Sequence, residues 1–531
     1  MSRKIFSLLA AVALSATAFS GTAVSATNKA AADRVGTQQG GELRVSINSD
    51  IKTTEPGGRL RDVYSDTILL HVVEGLVAYR DDFSIAPVLA QSYEVADEGR
   101  TYKFHLRSGR RFHNGATMTS ADVKWSWERI LDPKTGWVCR EWYDGSLGPK
   151  LLAVEAPDPQ TVIFRLAEAS PLFLENLASF QCMASVLHRD SVARDGAWKS
   201  PVGTGPYQLA EWKKGEYILL RKFDGYVPVN EPASGLAGRK EPREAAVRWI
   251  IVPEKAAQKA GLLAGQIDVL PALAANDLPM PAGKAKTSVV QGQDWSALLL
   301  QTQDPLLREV RMRRAIASAI NSAQLAGSAT RKIATGNPSV IPTSSPWYSK
   351  TQHKGVPYDV RAAARLAKEA GYRGERLKLQ TNKRFESMYT NAVILQAMLQ
   401  KAGINVELEV LDWAAQLANY REGKFQLMSF AFTARTDPSL IYMSFIGDKS
   451  KGAYYQWDDR NVDQLVRQIA TQTDRARRQE LIDRLHELMI AQVPIVPLYN
   501  PPIIDATGPG VSGYQSWPAG RPRLWNVSVT R

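Results

Sequence analysis

Hydrophobic and polar positions along the chain repeatedly change their period, from the alternation of a strand to the spacing of a helix. Residues 41–47 and 101–107 alternate and predict strands, whereas residues 62–79 carry an apolar stripe at helical spacing and predict one helix. Further strands are predicted in the first half of the chain over residues 161–166, 207–212, 217–221 and 246–252.

Capping residues mark several helix ends. Thr119 opens a capping box that predicts a helix to Leu131. More helices are predicted over residues 304–320 (opened by Asp304-Pro305), 359–370 and 386–402 (each stopped by glycine), and 474–492. Strands are predicted over residues 296–301, 404–410 and 425–430, and residues 230–243 are expected to form an exposed loop. Strands that alternate with helices predict α/β lobes with mixed or parallel sheets.

The first 26 residues have the layout of a secretory signal peptide. Arg3 and Lys4 precede an uncharged apolar run over residues 5–20, and Ala26 ends a Val-Ser-Ala triplet typical of a cleavage site. The run is too short for a membrane span, and the alternative of a buried N-terminal helix lacks a polar face. We therefore expect export without a lipid anchor, since the first cysteine after the run is the distant Cys139. A flexible lead is expected over residues 27–40.

Composition and charge narrow the class of protein. The 531 residues are 44% hydrophobic and 22% charged, which excludes a long disordered chain, a collagen and a multispan membrane protein. A chain of this length is expected to form at least two lobes. Cleavage after Ala26 would lower the formal net charge from +13 to +11. Because export is expected and the basic residues are scattered, we expect a solvated basic surface and no nucleic-acid partner.

A search for catalytic chemistry finds no specific constellation. None of the six histidines forms a His-Glu-x-x-His motif, and no Gly-x-Ser-x-Gly elbow occurs. His105 and His113 lie eight residues apart, so a metal pair is conceivable, but a structural or surface role is the better interpretation. We therefore predict no catalytic residue, no metal site and no cofactor.

Cys139 and Cys182 are the only cysteines and would meet an oxidising compartment after export. A disulfide between them would stabilise the fold by roughly 4 kcal/mol in the chain-entropy model. The alternative is two separate buried thiols.

An ordered series of segments resembles a known family. Residues 87–92, 97–109, 112–115 and 120–123 are similar to the signature segment of family 5 extracellular solute-binding proteins, the oligopeptide- and dipeptide-binding proteins of ABC importers. Matches continue in the family's order at residues 203–207, 262–268, 310–316, 358–359, 370–372 and 493–498. The resemblance covers about residues 41–500.

The resemblance implies the fold and the partners. The fold would be the α/β, periplasmic-binding-protein-like two-lobe fold of class II, with an extra domain inserted in the first lobe. The first lobe would comprise residues 41–75, 200–290 and 501–531, the inserted domain residues 76–199, and the second lobe residues 291–500. The protein would be a periplasmic monomer that closes around a solute and delivers it to a membrane ABC permease.

One departure from the family bears on the solute. Peptide binders of the family place an aspartate before an Asp-Pro pair, where it binds the amino terminus of the peptide. Here the aligned position, allowing a one-residue gap, holds Arg435, two residues before Asp437-Pro438. Arginine suits a carboxylate or a phosphate, so we predict that Arg435 binds an anion. The alternatives are an internal pair with Asp437 or Glu422, or a position in solvent.

Aromatic residues are expected to line such a cleft, because they offer large apolar area. Asp437 is expected mainly to cap or turn the chain, with ligand contact the lesser possibility. The candidate ligand-binding residues are Arg435, Phe432, Asp437, Trp413, Trp295, Tyr454, Tyr455 and Trp457.

The combined interpretation is a non-enzymatic receptor for a peptide or peptide-like solute. Within this class, an acidic non-peptide solute, such as an opine-like conjugate or a cell-wall fragment, is the main alternative. A metal–chelate or haem receptor has little support from the histidines. An exported hydrolase and a basic surface scaffold are the alternatives from other classes.

Overall fold

The computed structural model of the protein describes residues 40–146, 148–433 and 435–531. The predicted signal peptide, and the predicted lead up to residue 39, lie outside these residues. The strands are β1 (Glu42–Ile47), β2 (Val77–Tyr79), β3 (Ile85–Pro87), β4 (Ala90–Ala96), β5 (Thr101–Leu106), β6 (Leu151–Asp158), β7 (Thr161–Leu166), β8 (Tyr207–Lys213), β9 (Tyr217–Lys222), β10 (Ala246–Ile251), β11 (Val269–Leu270), β12 (Lys286–Gln291), β13 (Trp295–Leu300), β14 (Leu377–Asn382), β15 (Val406–Leu411), β16 (Leu427–Phe432), β17 (Ile495–Tyr499), β18 (Pro502–Thr507), β19 (Val511–Ser512) and β20 (Ser528–Val529). The helices are α1 (Val63–Leu69), α2 (Ser120–Leu131), α3 (Leu172–Ala178), α4 (Lys255–Leu263), α5 (Val310–Ser318), α6 (Ser322–Ala329), α7 (Val360–Glu369), α8 (Glu386–Lys401), α9 (Trp413–Glu422), α10 (Pro438–Met443), α11 (Arg460–Thr471) and α12 (Arg475–Gln492).

Both large sheets contain parallel and antiparallel strand pairs, as the α/β prediction requires. The first-lobe sheet has the order β12-β18-β11-β1-β10-β9-β8, with β1 parallel to β10 and β11 and the other pairs antiparallel. The second-lobe sheet has the order β15-β14-β16-β13-β17, with β14 parallel to both neighbours. A third, antiparallel sheet has the order β4-β5-β7-β6 and buries the alternating face of β5, at Tyr102, Phe104 and Leu106. The α/β class is therefore confirmed.

Capping signals gave the most accurate helix ends. Thr119 and Asp122 form the capping box of α2, and the carboxylates of Asp359 and Asp474 accept hydrogen bonds at the starts of α7 and α12. Gly371, with φ of +86°, follows α7 in the left-handed region that glycine adopts without strain.

Three expectations from the pattern are wrong. The helix predicted over residues 62–79 ends at Leu69, and the rest of its apolar stripe turns and then forms β2. The helix predicted from Asp304 begins only at Val310, because Asp304 caps a separate turn. Residues 230–243 form a loop, but it is not fully exposed: Lys240 is 4% exposed and its ammonium group binds the buried Glu74 carboxylate at 2.9 Å.

The sheets fall in separate stretches of the chain. The strands of the antiparallel sheet lie between residues 90 and 166, and those of the second-lobe sheet between residues 295 and 499. The first-lobe sheet collects strands from before, between and after these stretches. The domain limits themselves stay predictions, since strand pairing does not define where one lobe passes into the next.

The predicted disulfide is confirmed. Cys139 and Cys182 are bonded, with their Cα atoms 5.6 Å apart, and they lie within the predicted inserted domain. The indole nitrogen of Trp137 donates to the carbonyl of Cys182 at 2.7 Å, so the bridge is embedded in an aromatic core. The alternative of two separate thiols is wrong.

Candidate functional site

The chain passes between the first-lobe and second-lobe sheets at two adjacent crossings. One crossing runs from β12 to β13 through Gly292, and the other runs from β17 to β18 through Asn500 and Pro501. The Gly292 amide donates to the Pro501 carbonyl at 3.1 Å, and a Cβ added at Gly292 would lie 2.3 Å from that oxygen. The Asn500 amide group donates to the carbonyl of Asp294 at 2.9 Å. Two short connecting segments held together in this way form a narrow hinge between the lobes.

Beside the hinge, the second lobe carries an aromatic cluster. Trp295 pairs with Phe432 across β13 and β16, and their rings stack with centroids 4.2 Å apart. Further along, Tyr420 stacks on Phe430 at 4.6 Å and contacts Tyr454 at 5.8 Å. The aromatic cluster consists of Trp295, Trp413, Tyr420, Phe430, Phe432, Tyr454 and Tyr455.

Arg435 lies three residues beyond Phe432, against this cluster. Burial lowers the pKa of its guanidinium, and the hydroxyl of Tyr420 is close enough to act in the opposite direction. Within the described residues, no hydrogen bond or ion pair engages the Arg435 side chain. Both internal partners considered from the sequence are occupied elsewhere, since Glu422 binds Lys424 and Asp437 binds Arg478. A half-buried cation without an acidic partner is suited to an anion brought from outside.

On the side facing the second lobe, the end of β2 contacts the residue next to Arg435. The Tyr79 hydroxyl, at the end of β2, lies 2.6 Å from the Thr436 hydroxyl and 2.8 Å from the Glu175 carboxylate. Burial, together with the negative charge of Asp437, raises the pKa of Glu175 to about 7. Tyr79, Glu175 and Thr436 form the cross-lobe contact, in which a carboxyl group is enclosed between the two sides.

Asp437 has a structural role at this contact. Its side chain is 0% exposed, caps α10 by accepting from the Ser439 amide, and forms an ion pair with Arg478 at 2.8 Å. Arg478 also donates to the Ile469 carbonyl, which ties α10 to α11. The capping role expected for Asp437 is confirmed, whereas its inclusion among the ligand-binding residues conflicts with a carboxylate that is fully enclosed.

The other aromatic candidates divide between the core and the cleft wall. Trp457 is 3% exposed and donates its indole N–H to Gln492 at 2.8 Å, so it belongs to the core, and its assignment as a ligand contact conflicts with this burial. Trp295 is also buried, and its ring is covered by the stacked ring of Phe432, which is partly exposed. Trp413, Tyr454 and Tyr455 are partly exposed and remain candidates for ligand contact.

The two histidines considered for a metal have separate partners. His105 lies 3.2 Å from Glu94, while His113 contacts the carbonyl of Gly205 at 3.1 Å. Burial lowers the pKa of His113 to about 4. Across the part of the chain that the structure describes, no group of three or more His, Cys, Asp and Glu side chains could hold a metal ion.

Several residues of the cleft were not found from the sequence. Tyr79 and Glu175 meet where β2 and α3 pack together, and the Tyr79 hydroxyl then reaches Thr436. No local sequence pattern indicates such a contact. Thr436 could have been noticed in the sequence, because it directly follows Arg435 in the segment that departs from the family's pattern.

Comparison with known proteins defines the class and then the family. The family description "Bacterial extracellular solute-binding proteins, family 5 Middle" matches residues 84–454, so the chain belongs to this family. The chain is 24% identical over 479 residues to the dipeptide-binding protein of Escherichia coli K12, covering 84% of this chain and 86% of that protein. It is 26% identical over 502 residues to the glutathione-binding protein GsiB of the same strain, covering 90% and 92%.

A solved structure extends the likeness to the fold. The binding protein AgaA from A. tumefaciens R10, solved in complex with agropinic acid, is 25% identical to this chain. The superposition has a TM-score of 0.72 and covers 92% of this chain and 99% of AgaA. The predicted two-lobe, periplasmic-binding-protein-like fold is thereby confirmed. In the described part of the chain, no helix combines the length and apolar character needed to cross a membrane.

Proposed function

We propose that the protein is the exported receptor of an ABC importer, which captures a peptide or peptide-like solute by closing its lobes and delivers it to a membrane permease. The observation that carries this proposal is Arg435, a half-buried cation without an acidic partner among the described residues, placed against the aromatic cluster and next to the cross-lobe contact. A solute held there would touch both lobes. Such a solute would stabilise the closed arrangement, as a binding receptor requires.

The cellular setting follows from the same proposal. Cleavage after Ala26 would release the chain into the periplasm, where the dipeptide-binding and glutathione-binding relatives suggest a carrier without catalytic activity. The receptor would act as a monomer and without nucleic acid, handing the solute to the permease.

A second candidate solute class has its own support. Arg435 stands where peptide binders of the family are expected to place an acid, and an arginine repels the ammonium group of a peptide. AgaA was solved with agropinic acid. We therefore propose an acidic non-peptide solute, such as an opine-like conjugate, as the alternative to a peptide.

A thermal-shift screen of the mature protein tests the receptor proposal. The library would contain di- to pentapeptides, opine-like acidic conjugates, muropeptides and nickel chelates. A ligand at about 100 times its Kd should add roughly 2.7 kcal/mol to the free energy of unfolding. A shift confined to one chemical class supports a receptor and identifies the solute class. Turnover of a library member, detected by mass spectrometry, would instead favour the exported hydrolase.

The variant Arg435→Ala tests the anion contact directly. Charge-assisted hydrogen bonds contribute about 1.5–3 kcal/mol, so affinity for an acidic solute should fall by roughly 10-fold to 100-fold. Arg314→Ala, which removes an exposed arginine from α5, is the matched control. Equal affinity of the Arg435 variant and the wild type for an acidic solute would contradict the proposed contact.

A further inference from the structure

A second arginine on the opposite side of the cleft resembles Arg435 in its surroundings. Arg521 belongs to the C-terminal stretch of the first lobe, and its guanidinium lies 5.3 Å from the ring centroid of Phe180. Burial lowers the pKa of Arg521, and the charges of Asp66 and Asp294 act in the opposite direction. No carboxylate of the described residues lies within the 4 Å of an ion pair with Arg521.

The hydrogen bonds of Arg521 engage only part of its guanidinium group. One terminal nitrogen contacts the carbonyls of Ala519 and Gly520 at 3.5 and 3.3 Å, which are long distances for a guanidinium. The Nε atom is buried and lacks a hydrogen-bond partner within the described chain. Asp66 forms its ion pair with Arg61. Such a buried donor is costly unless a partner reaches it.

Contacts connect Arg521 to the wall opposite Arg435. Phe180, over which Arg521 lies, also packs edge-on against Tyr79 at 6.3 Å. Tyr79 in turn contacts Thr436, the residue after Arg435, at 2.6 Å. On the hinge side, Asp294, whose charge acts on Arg521, directly precedes Trp295 of the aromatic cluster. These contacts place Arg521 beside the hinge on the first-lobe side, whereas Arg435 belongs to the second lobe.

We propose that Arg521 and Arg435 together select a solute with two acidic groups, one bound to each lobe. The proposal rests on the receptor function above and specifies the solute class for the same cleft. A compound with one acid would leave one guanidinium buried without a partner, whereas a diacid satisfies both and links the lobes. The second acid thus contributes to closure as well as to affinity.

A matched panel of small ligands tests whether affinity depends on the number of carboxylates in the solute. The panel contains Gly-Glu, Gly-Gln, the C-terminal amides of both, and the N-acetyl form of each. Within the free-amine set and within the N-acetyl set, size stays nearly constant while the carboxylates number two, one or none. Thermal shift and calorimetry would be measured for the wild type. We expect the two-carboxylate members to bind at least about 10-fold more tightly than any one-carboxylate member. Equal binding across the panel, or binding by no member, overturns the proposal.

Variants separate a binding role from a structural one. Arg521→Gln should lose about 10-fold to 100-fold in affinity for the two-carboxylate members and nothing for the neutral ones. Arg521→Lys, which keeps the charge but not the fork, should lose less, and Arg314→Gln should lose nothing. Unchanged affinity of a folded Arg521→Gln variant overturns the proposal. If neutral or one-acid solutes bind as tightly as the two-carboxylate members, only this inference fails; if no solute from the broad library binds either, the receptor function fails with it.

Discussion

Glu175 makes the contact between the two sides of the cleft sensitive to pH. Burial, reinforced by the negative charge of Asp437, raises the pKa of Glu175 from 4.5 to about 7. The folded protein therefore holds this proton more tightly than the unfolded chain does. The stability that the protonated carboxyl contributes is complete below about pH 4.5, and it is lost as the pH rises through about 7. At about 1.4 kcal/mol per pKa unit, the full difference is about 3 kcal/mol.

The variant Glu175→Gln keeps the neutral form at every pH and retains an oxygen that accepts from Tyr79. We expect it to be more stable than the wild type by about 3 kcal/mol at pH 8 and by about 1 kcal/mol at pH 5. With an unfolding entropy near 2 cal/mol/K per residue, these differences raise the Tm by about 3 °C and about 1 °C.

Calorimetric melts of both proteins at the two pH values measure this difference. The control Glu168→Gln changes an exposed carboxylate, so its effect on the Tm should be small at both pH values. The reasoning about Glu175 is refuted if the variant differs from the wild type by the same amount at pH 5 and at pH 8.

Three further predictions concern the frame of the cleft. Arg478→Met leaves the fully buried carboxylate of Asp437 unpaired and should lower the free energy of unfolding by about 3–5 kcal/mol, measured by chemical denaturation; a loss below 1 kcal/mol would contradict a buried pair. Replacing both disulfide cysteines, which are 43 residues apart, with alanine should cost roughly 4 kcal/mol in the same assay, and a Tm equal to that of the wild type would argue against this value. Gly292→Ala places a Cβ against the Pro501 carbonyl and should lower both the Tm and the solute affinity, whereas Gly327→Ala, in an open helical position, should not lower either; equal behaviour of the two variants would contradict the hinge geometry.

Local chemistry explains which parts of the fold could be predicted from the sequence. The caps at Thr119, Asp359 and Asp474 act within a few residues of their own position, so sequence reasoning placed those helix starts within a residue. Residues 62–79 show the limit of this reasoning. Their apolar stripe continues through two elements, because the side chains of the turn and of β2 are buried by neighbours from other parts of the chain.

The cleft was predictable only in part, for the same reason. Arg435 and the aromatic residues near it were identified from a segment that departs from the family's pattern. Glu175 and Arg521 carry no such signal, since their importance comes from burial against residues hundreds of positions away. Asp437 was included because it lies near Arg435 in sequence, and Trp457 because members of the family often contact ligand through its loop. Tertiary packing turns both of them into the interior.

The position of β18 determines the order in which the two sheets can be completed. All strands of the second-lobe sheet come from one uninterrupted stretch, so that sheet can form as soon as β17 has been made. The first-lobe sheet begins with β1, yet it needs β18 between β12 and β11. Until β18 is made, β12 lacks its pairing partner in that sheet. The lobe that is synthesised first is therefore finished last, and a chain shortened by its final 30 residues would lose an inner strand rather than a dispensable tail.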